Sequence, residues 1–306
     1  MIDEVGTPDG VTLDVHHWPV AEPRAVVQIV HGMAEHMGRY DEVAGALNRA
    51  GYAVIGHDQR GHGATAGSAA EMGFISESDG WQKYVDDVDL MSRTIAREYP
   101  GVPIVLLGHS MGTLVARTAV QELSHYSGLI LSGAAADPGA LRFAAMGIAE
   151  AQLRAKGPRH RSMVLHRLTF GAYNDHIDHP RTAFDWLSRD PDAVDAYVND
   201  PACGWIATTS FYRDLFTGLG RVYGPKRIRR MPRDLPVLFF SGDDDPVGGR
   251  HGAGVTAAAR KMRKHVERVD VRLYAQGRHE SFNEINRDEV IADVIRWCDG
   301  IIPGRA

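Results

Sequence analysis

Three residue types, in a telling chain order, stand out in this 306-residue sequence: a glycine-flanked serine, then a run of aspartates, then a histidine. Ser110 lies in Gly108-His109-Ser110-Met111-Gly112, between the apolar run Ile104–Leu107 and a helical-looking stretch. A serine hydroxyl is a weak nucleophile at neutral pH, so it needs a base, and the base needs an orienting acid. Gly-x-Ser-x-Gly between a strand and a helix describes a sharp, strained turn that holds the hydroxyl up. The glycines are needed because a Cβ at either flank would meet the packed strand or helix. The chain then offers an acid in Ser241-Gly242-Asp243-Asp244-Asp245-Pro246-Val247 and a base in Gln276-Gly277-Arg278-His279-Glu280. Asp243, Asp244 and Asp245 are all candidates; Pro246 fixes the chain after Asp245 and favours it. His279 is the expected base, while His251 and His265 read as surface residues. A tetrahedral intermediate also needs two backbone N–H donors. Met111 directly follows the nucleophile, and Met33 sits in the loop His31–His36; these two are the expected oxyanion donors. Truncating the Met33 side chain should therefore disturb shape without abolishing the hole.

These residues need elements to hold them. Strands are expected at Thr12–Trp18, Ala25–Val30, Tyr52–Ile55, Ile104–Leu107, Gly128–Leu131, Val237–Phe240 and Val269–Leu273. Several are apolar throughout, as suits a parallel sheet covered on both faces. Helical patterns fall between them at Asp41–Ala50, Trp81–Glu98, Met111–His125, Val255–Val266 and Asp288–Trp297. In the second, Tyr84, Val85, Val88, Met91, Ile95 and Tyr99 recur at three- and four-residue steps and give one apolar face. Strand alternating with helix predicts an α/β fold with a mostly parallel central sheet. Each candidate site residue then lies just beyond the end of a strand, where loops cluster. The alternation stops between residues 137 and 235, a stretch with helical periodicity and little that reads as strand. It carries a net charge of +4 against −9 for the remainder. The expected organisation is a core of residues 1–136 and 236–306 with a helical insertion at 137–235.

Composition excludes several classes. A net charge of −5 and a pI near 6.3 give no reason to expect nucleic acid as a partner. Cys203 and Cys298 are far apart in sequence and read as free thiols of a reducing compartment. The start, Met1-Ile2-Asp3-Glu4, lacks a signal-peptide pattern, and no apolar run approaches the ~20 residues of a membrane span. A cytoplasmic protein is expected. Fifteen histidines invite a metal reading. His57, Asp58 and His62, and separately His176, Asp178 and His179, have suitable types but not the helical i, i+4 spacing of a zinc motif. No metal is expected; Asp58 and Arg60 are expected to brace the loop beside the oxyanion site.

Five segments together resemble a known family. His31-Gly32-Met33-Ala34-Glu35-His36-Met37-Gly38-Arg39-Tyr40 is similar to the H-G-x-x-E-H-x-x-R-Y segment of monoacylglycerol lipases and bacterial lysophospholipase-type hydrolases. Asp58-Gln59-Arg60-Gly61-His62-Gly63 resembles their D-x-R-G-H-G segment, and Gly108–Gly112 their G-H-S-M-G turn. Gly242–Val247 resembles the G-x-x-D-P-V acid loop, and Arg278–Glu284 the R-H-E-x-x-N-E histidine segment. The resemblance implies an α/β-hydrolase fold, with Ser110, Asp245 and His279 as catalytic triad, Met33 and Met111 as oxyanion donors, and residues 137–235 as a lid. Phe184–Asp190 and Asp200–Gly204 look like the bacterial branch. The implied activity is hydrolysis of a monoacyl lipid, a monoacylglycerol or lysophospholipid, with no cofactor. The rivals are an esterase for short-chain or aromatic-alkyl esters such as monoalkyl phthalates, acyl transfer to an alcohol other than water, and a non-catalytic binding protein on the same scaffold. The loop after Val30 lacks the H-G-G-P-G of proline iminopeptidases, and a serine nucleophile departs from the aspartate of epoxide hydrolases and haloalkane dehalogenases. Gly32, His109, Leu141, Met146 and Val247 are expected to line the substrate pocket. The apolar stretch Leu141–Glu150 is read first as pocket lining, then as core packing, then as a contact with a lipid interface. Basic clusters at Arg154, Lys156, Arg159 and Arg161, and at Lys226, Arg227, Arg229 and Arg230, are read as solvated faces.

Overall fold

The computed structural model describes residues 2–123 and 125–302. Eight strands form one sheet: β1 (Glu4–Gly6), β2 (Thr12–Trp18), β3 (Ala25–Val30), β4 (Tyr52–His57), β5 (Ile104–His109), β6 (Gly128–Ser132), β7 (Val237–Gly242) and β8 (Val269–Tyr274). Their spatial order is β1-β2-β4-β3-β5-β6-β7-β8. The β1–β2 and β2–β4 pairs are antiparallel and all later pairs are parallel. Among the described residues ten α-helices accompany it. Outside the long insertion these are α1 (Asp41–Arg49), α2 (Gly80–Glu98) and α3 (Met111–Glu122). The insertion between β6 and β7 carries α4 (Leu141–Lys156), α5 (Met163–Phe170), α6 (Pro191–Asn199), α7 (Thr209–Tyr223) and α8 (Pro225–Ile228). After β7 come α9 (Ala253–Met262) and α10 (Arg287–Asp299).

The alternation of side chains along each strand divides the core in two. Val26, Ile104, Leu106, Leu129, Leu131, Val237 and Phe239 face α2, α3 and α9. Val27, Ile29, Val105, Leu107, Ile130, Leu238 and Phe240 face α1 and α10. Both faces are therefore dry, which is why these strands read as unbroken apolar runs. The order β4-β3-β5 also makes the chain wind one way after β3 and the other way after β5. Loops leaving the carboxyl ends of such neighbours diverge and open a crevice between them. His31–His36 and Ser110 are the residues at those two ends.

The short edge strand β1 went unread in the sequence because three residues, with only Val5 partly buried, carry no periodic signal. Helix α3 stops at Glu122 rather than at His125, since Leu123 turns extended. Helix α9 ends at Met262, four residues before the expected Val266. Strands β5 and β7 run two residues longer than expected because Gly108, His109, Ser241 and Gly242 still pair although none is strongly apolar. In α4, Leu141 and Phe143 are 76% and 66% exposed. The helix packs on α7 with Ala149 buried and Ala145 and Met146 partly so. Small residues at i and i+4, Ala145 and Ala149, let the helices approach closely, while Leu141 in the first turn of α4 stays in solvent.

Four histidines, His31, His57, His62 and His109, are almost wholly enclosed, 5% exposed or less. Burial pushes all four below the usual imidazole range, His57 to about 3 and His109 to about 4. Unfolding lets them protonate near pH 6.5, so stability is complete above that pH and falls as the pH drops toward 4. Each group contributes up to about 1.4 kcal/mol per pH unit. His279, whose folded pKa is raised, opposes this, as do Asp87, pushed up by burial to about 6, and Asp14 and Asp214, also raised by burial. The urea midpoint should therefore fall clearly between pH 7.5 and pH 5; an equal or higher midpoint at pH 5 would contradict this assignment of buried neutral rings.

Candidate active site

The turn after β5 forces Ser110 to φ +50°, a region an L-residue rarely enters, and α3 starts at the next residue. Backbone strain of this kind persists where packing over-determines it. A Cβ on Gly112 would lie 2.0 Å from the Val30 carbonyl oxygen, and one on Gly108 2.5 Å from the Gly112 oxygen. Both glycines are thus required by the close approach of α3 to the β3 loop and to its own strand. Ser110 N–H donates to Ser132 O at 2.9 Å, which ties the turn to β6.

Of the three aspartates after β7, only Asp245 turns inward. It is fully buried and accepts from Ser241 Oγ at 2.8 Å and from Val247 N–H at 2.9 Å. His279 Nδ1 lies 3.1 and 3.0 Å from its two oxygens. Asp243 instead accepts the Gln276 N–H, and Asp244 faces His176 at the surface. A carboxylate at Nδ1 fixes the proton there and leaves the Nε2 lone pair free to act as a base. Burial alone would lower the His279 pKa; the Asp245 charge and hydrogen bond outweigh it and hold the imidazole above its usual value. Asp245 is pulled below the ordinary carboxylate range, burial being overcome by His279 and the Ser241 and Val247 bonds. Ser110 and His279 line the same cavity.

The loop after β3 supplies the opposite wall. An added Cβ at Gly32 would sit 3.1 Å from the Ser110 Cβ, so the two turns nearly touch. Gln59 N–H donates to His31 Nε2 at 2.9 Å, so His31 Nδ1 carries the proton and donates to Gly32 O at 2.7 Å. A trans peptide points its N–H opposite its carbonyl. Met33 N–H is therefore directed away from His31, and no acceptor among the described residues takes it. Met111 N–H is the first of α3 and has no intrahelical partner. Met33 and Met111, from two different elements, line the same cavity as Ser110. The loop is clasped from above as well. Ala34, at φ +58°, accepts from Tyr197 Oη at 2.9 Å and from Gly204 N–H at 3.0 Å.

A cavity of about 120 Å³ opens over these groups. Gly32, Met33, His109, Ser110, Met111, Val247 and His279 border it. Leu141 and Met146 do not: the first points to solvent and the second packs into the core, so those two expectations are corrected. The insertion contributes instead His166, Thr169 and Phe170 from one face of α5, with Trp186, Tyr197 and Trp205. The Trp186 ring packs 5.1 Å from that of His279. Arg60 is a further correction. It pairs with Asp87 and Asp9 against α2, whereas Asp58 does hold the loop after β3 by accepting Met37 N–H at 2.7 Å. His31, Gln59, Glu35, Arg39, Trp186 and Tyr197 went unassigned in the sequence, although four of them lie inside the segments that carried the resemblance.

His36, Asp200 and Cys203 bring three donor atoms within 4.8 Å of one another. His36 Nδ1 accepts Gly38 N–H, so Nε2 carries the proton that Asp200 takes at 2.8 Å and offers no lone pair to a metal. Both cysteines are free and buried. Of the basic residues, Arg159 pairs with Glu71 and stacks on Phe74, and Arg227 pairs with Glu122, so these are tethers more than free faces.

Residues 21–286 match the family model described as serine aminopeptidase, S33. The chain belongs to this family of α/β-hydrolases. It is 31% identical to a monoacylglycerol lipase of Mycolicibacterium smegmatis over 94% of this chain and 93% of the relative. It is 26% identical to phospholipase YtpA of Bacillus subtilis over 93% of this chain and 99% of the other. Among solved structures, a thermostable carboxyl esterase from Bacillus coagulans, in complex with glycerol, superposes with a TM-score of 0.91 at 27% identity, covering 98% of each chain. This S33-family member is thus a lipase/esterase-type serine hydrolase, a carboxylic ester hydrolase. No helix among the described residues is long and apolar enough to cross a membrane.

Proposed function

We propose that this S33-family hydrolase cleaves monoacyl lipids through an acyl-enzyme on Ser110, with residues 137–235 acting as the cap over the acyl pocket. The observation that carries the reading is the buried Asp245–His279 pair facing the same cavity as Ser110. His279 Nε2 takes the Ser110 proton as the hydroxyl attacks the ester carbonyl. Met33 and Met111 N–H groups hold the oxyanion, and His279 returns the proton to the departing alcohol. Water then attacks the acyl-enzyme by the same route. No step requires a cofactor.

The lining supports a neutral alcohol portion. No lysine or arginine among the described residues borders the cavity, and its carboxylate neighbours are Glu35 and Glu280. A phosphate on the alcohol portion, or the free carboxylate on the acyl portion of a monoalkyl phthalate, would meet like charge there and find no cation to pair with. That favours monoacylglycerols over lysophospholipids and over monoalkyl phthalates. A second reading, an esterase for small esters, is favoured by the likeness to the carboxyl esterase. Initial rates on monoacylglycerols from short to long acyl chains, lysophosphatidylcholine, p-nitrophenyl esters and monobutyl phthalate test both. A maximum at long monoacylglycerols is expected. A maximum at short or aromatic esters would discard the lipid assignment and keep the mechanism.

A further inference from the structure

The ester chemistry described so far leaves a set of charged side chains beside His279 without a role. Arg39 donates to both Glu280 oxygens at 2.6 Å and to Glu35 Oε2 at 2.9 Å. Glu35 Oε1 accepts from the Tyr40 hydroxyl at 3.0 Å and from Gly32 N–H, and Glu280 Oε2 accepts from Asn283 Nδ2 at 3.0 Å. Glu35 and Glu280 are 3% and 4% exposed. Two carboxylates against one guanidinium leave an unbalanced negative charge where water scarcely reaches. A buried charge without a partner is costly, and a fold that retains one has a counter-charge to place against it. Both glutamates border the substrate cavity that His279 lines, Glu280 next to His279 in the chain and Glu35 from the loop after β3.

We propose that Glu35 and Glu280, bridged by Arg39, form a fixed anion whose counter-ion is the imidazolium that His279 becomes when it takes the Ser110 proton. Both are positioning residues: they act through His279 and the loop before Met33 and touch neither reacting atom. The proposal rests on the Ser110–His279 reading above. The proton moves from Ser110 Oγ to His279 Nε2 and later to the leaving alcohol oxygen, so the network itself gains and loses nothing. Its charge is in place before the reaction and needs no reorganisation during it. The other groups facing His279 do not replace it. Asp245 is already committed to Nδ1. His109, whose ring lies 4.9 Å away, stays neutral because burial holds its pKa at about 4. From the insertion, Trp186 packs on the His279 ring with Tyr173, which burial keeps protonated, behind it, and His166 lines the same cavity with its pKa lowered by burial.

The test is the pH profile of kcat/KM for p-nitrophenyl butyrate in wild type, E280Q and E35Q. Glutamine keeps the shape and one acceptor oxygen, for Arg39 or Gly32, and removes the charge together with one acceptor. Activity is lost as pH falls through the His279 pKa, which lies above its usual value in the wild type. Removing a nearby negative charge lowers that pKa, so the acid limb of each variant should move down by about one pH unit. The plateau kcat should fall by roughly tenfold, because the imidazolium formed in the transition state loses its support. A role confined to holding shape lowers kcat and leaves the limb where it was; that result in both variants overturns the proposal. Should E280Q fail to fold, E35Q alone decides. Labelling by a fluorophosphonate separates the two levels. A wild type not labelled at Ser110 contradicts the serine-triad reading itself. A labelled wild type with unmoved limbs contradicts only the role of the glutamates.

Discussion

Ser110→Ala should lower kcat by about 10⁴- to 10⁶-fold and leave the thermal midpoint nearly unchanged. The size follows from what is removed: without a nucleophile no acyl-enzyme forms, and only the oxyanion donors and binding remain to assist water. The mildness toward the fold follows from the local structure. The strain at φ +50° belongs to the backbone and is the same for alanine, and the Ser110 N–H keeps its bond to Ser132 O. The hydroxyl itself holds no other buried group in place. Purified mutant with more than a hundredth of wild-type turnover would remove Ser110 from the mechanism.

Asp245→Asn should cost about 10⁴-fold, the scale expected when the carboxylate behind a catalytic histidine becomes an amide. An asparagine N–H turned toward His279 would require Nδ1 to accept, driving the proton to Nε2 and leaving no base for Ser110. The same change leaves one oxygen for two donors, so either Ser241 Oγ or Val247 N–H loses its acceptor and some loss of stability accompanies it. Asp243→Asn and Asp244→Asn should stay within a few-fold of wild type. Asp243 serves the Gln276 turn, and Asp244 is exposed beside His176. Rates of the three purified variants on one ester check this, and a greater loss at Asp243 or Asp244 would move the acid.

The two kinds of information in the chain were unequally legible. Strands such as Val26–Val30 and Val237–Phe240 announce themselves because both faces of the sheet are dry. The nucleophile turn is equally readable, since Gly108 and Gly112 answer to contacts that only a strand packed on a helix creates. The choice of Asp245 over its neighbours was visible only through Pro246 and the resemblance. Which of three adjacent carboxylates turns inward depends on Ser241 and Val247, local bonds that no periodicity encodes. The pocket wall was misread at Leu141 and Met146 because apolar character says that a residue avoids water, not which neighbour covers it. In α4 the small Ala145 and Ala149 take the inner face. His166, Thr169 and Phe170 do share one face of α5 at i, i+3 and i+4, but nothing in the sequence aims that face at Ser110. The Arg39 bridge joins residues 35 and 280, a pairing made only when the β3 loop and the histidine loop meet.

The central claim is an acyl-enzyme on Ser110 drawn from a monoacyl lipid. Intact-mass analysis of protein acid-quenched early in turnover of 1-monooleoylglycerol tests it most directly. The wild type should show a transient gain of one oleoyl group, mapped by peptide fragmentation to Ser110 and absent from Ser110→Ala. An oleoyl adduct at another residue, or rapid turnover with no adduct even in the slow Asp245→Asn variant, would contradict the account.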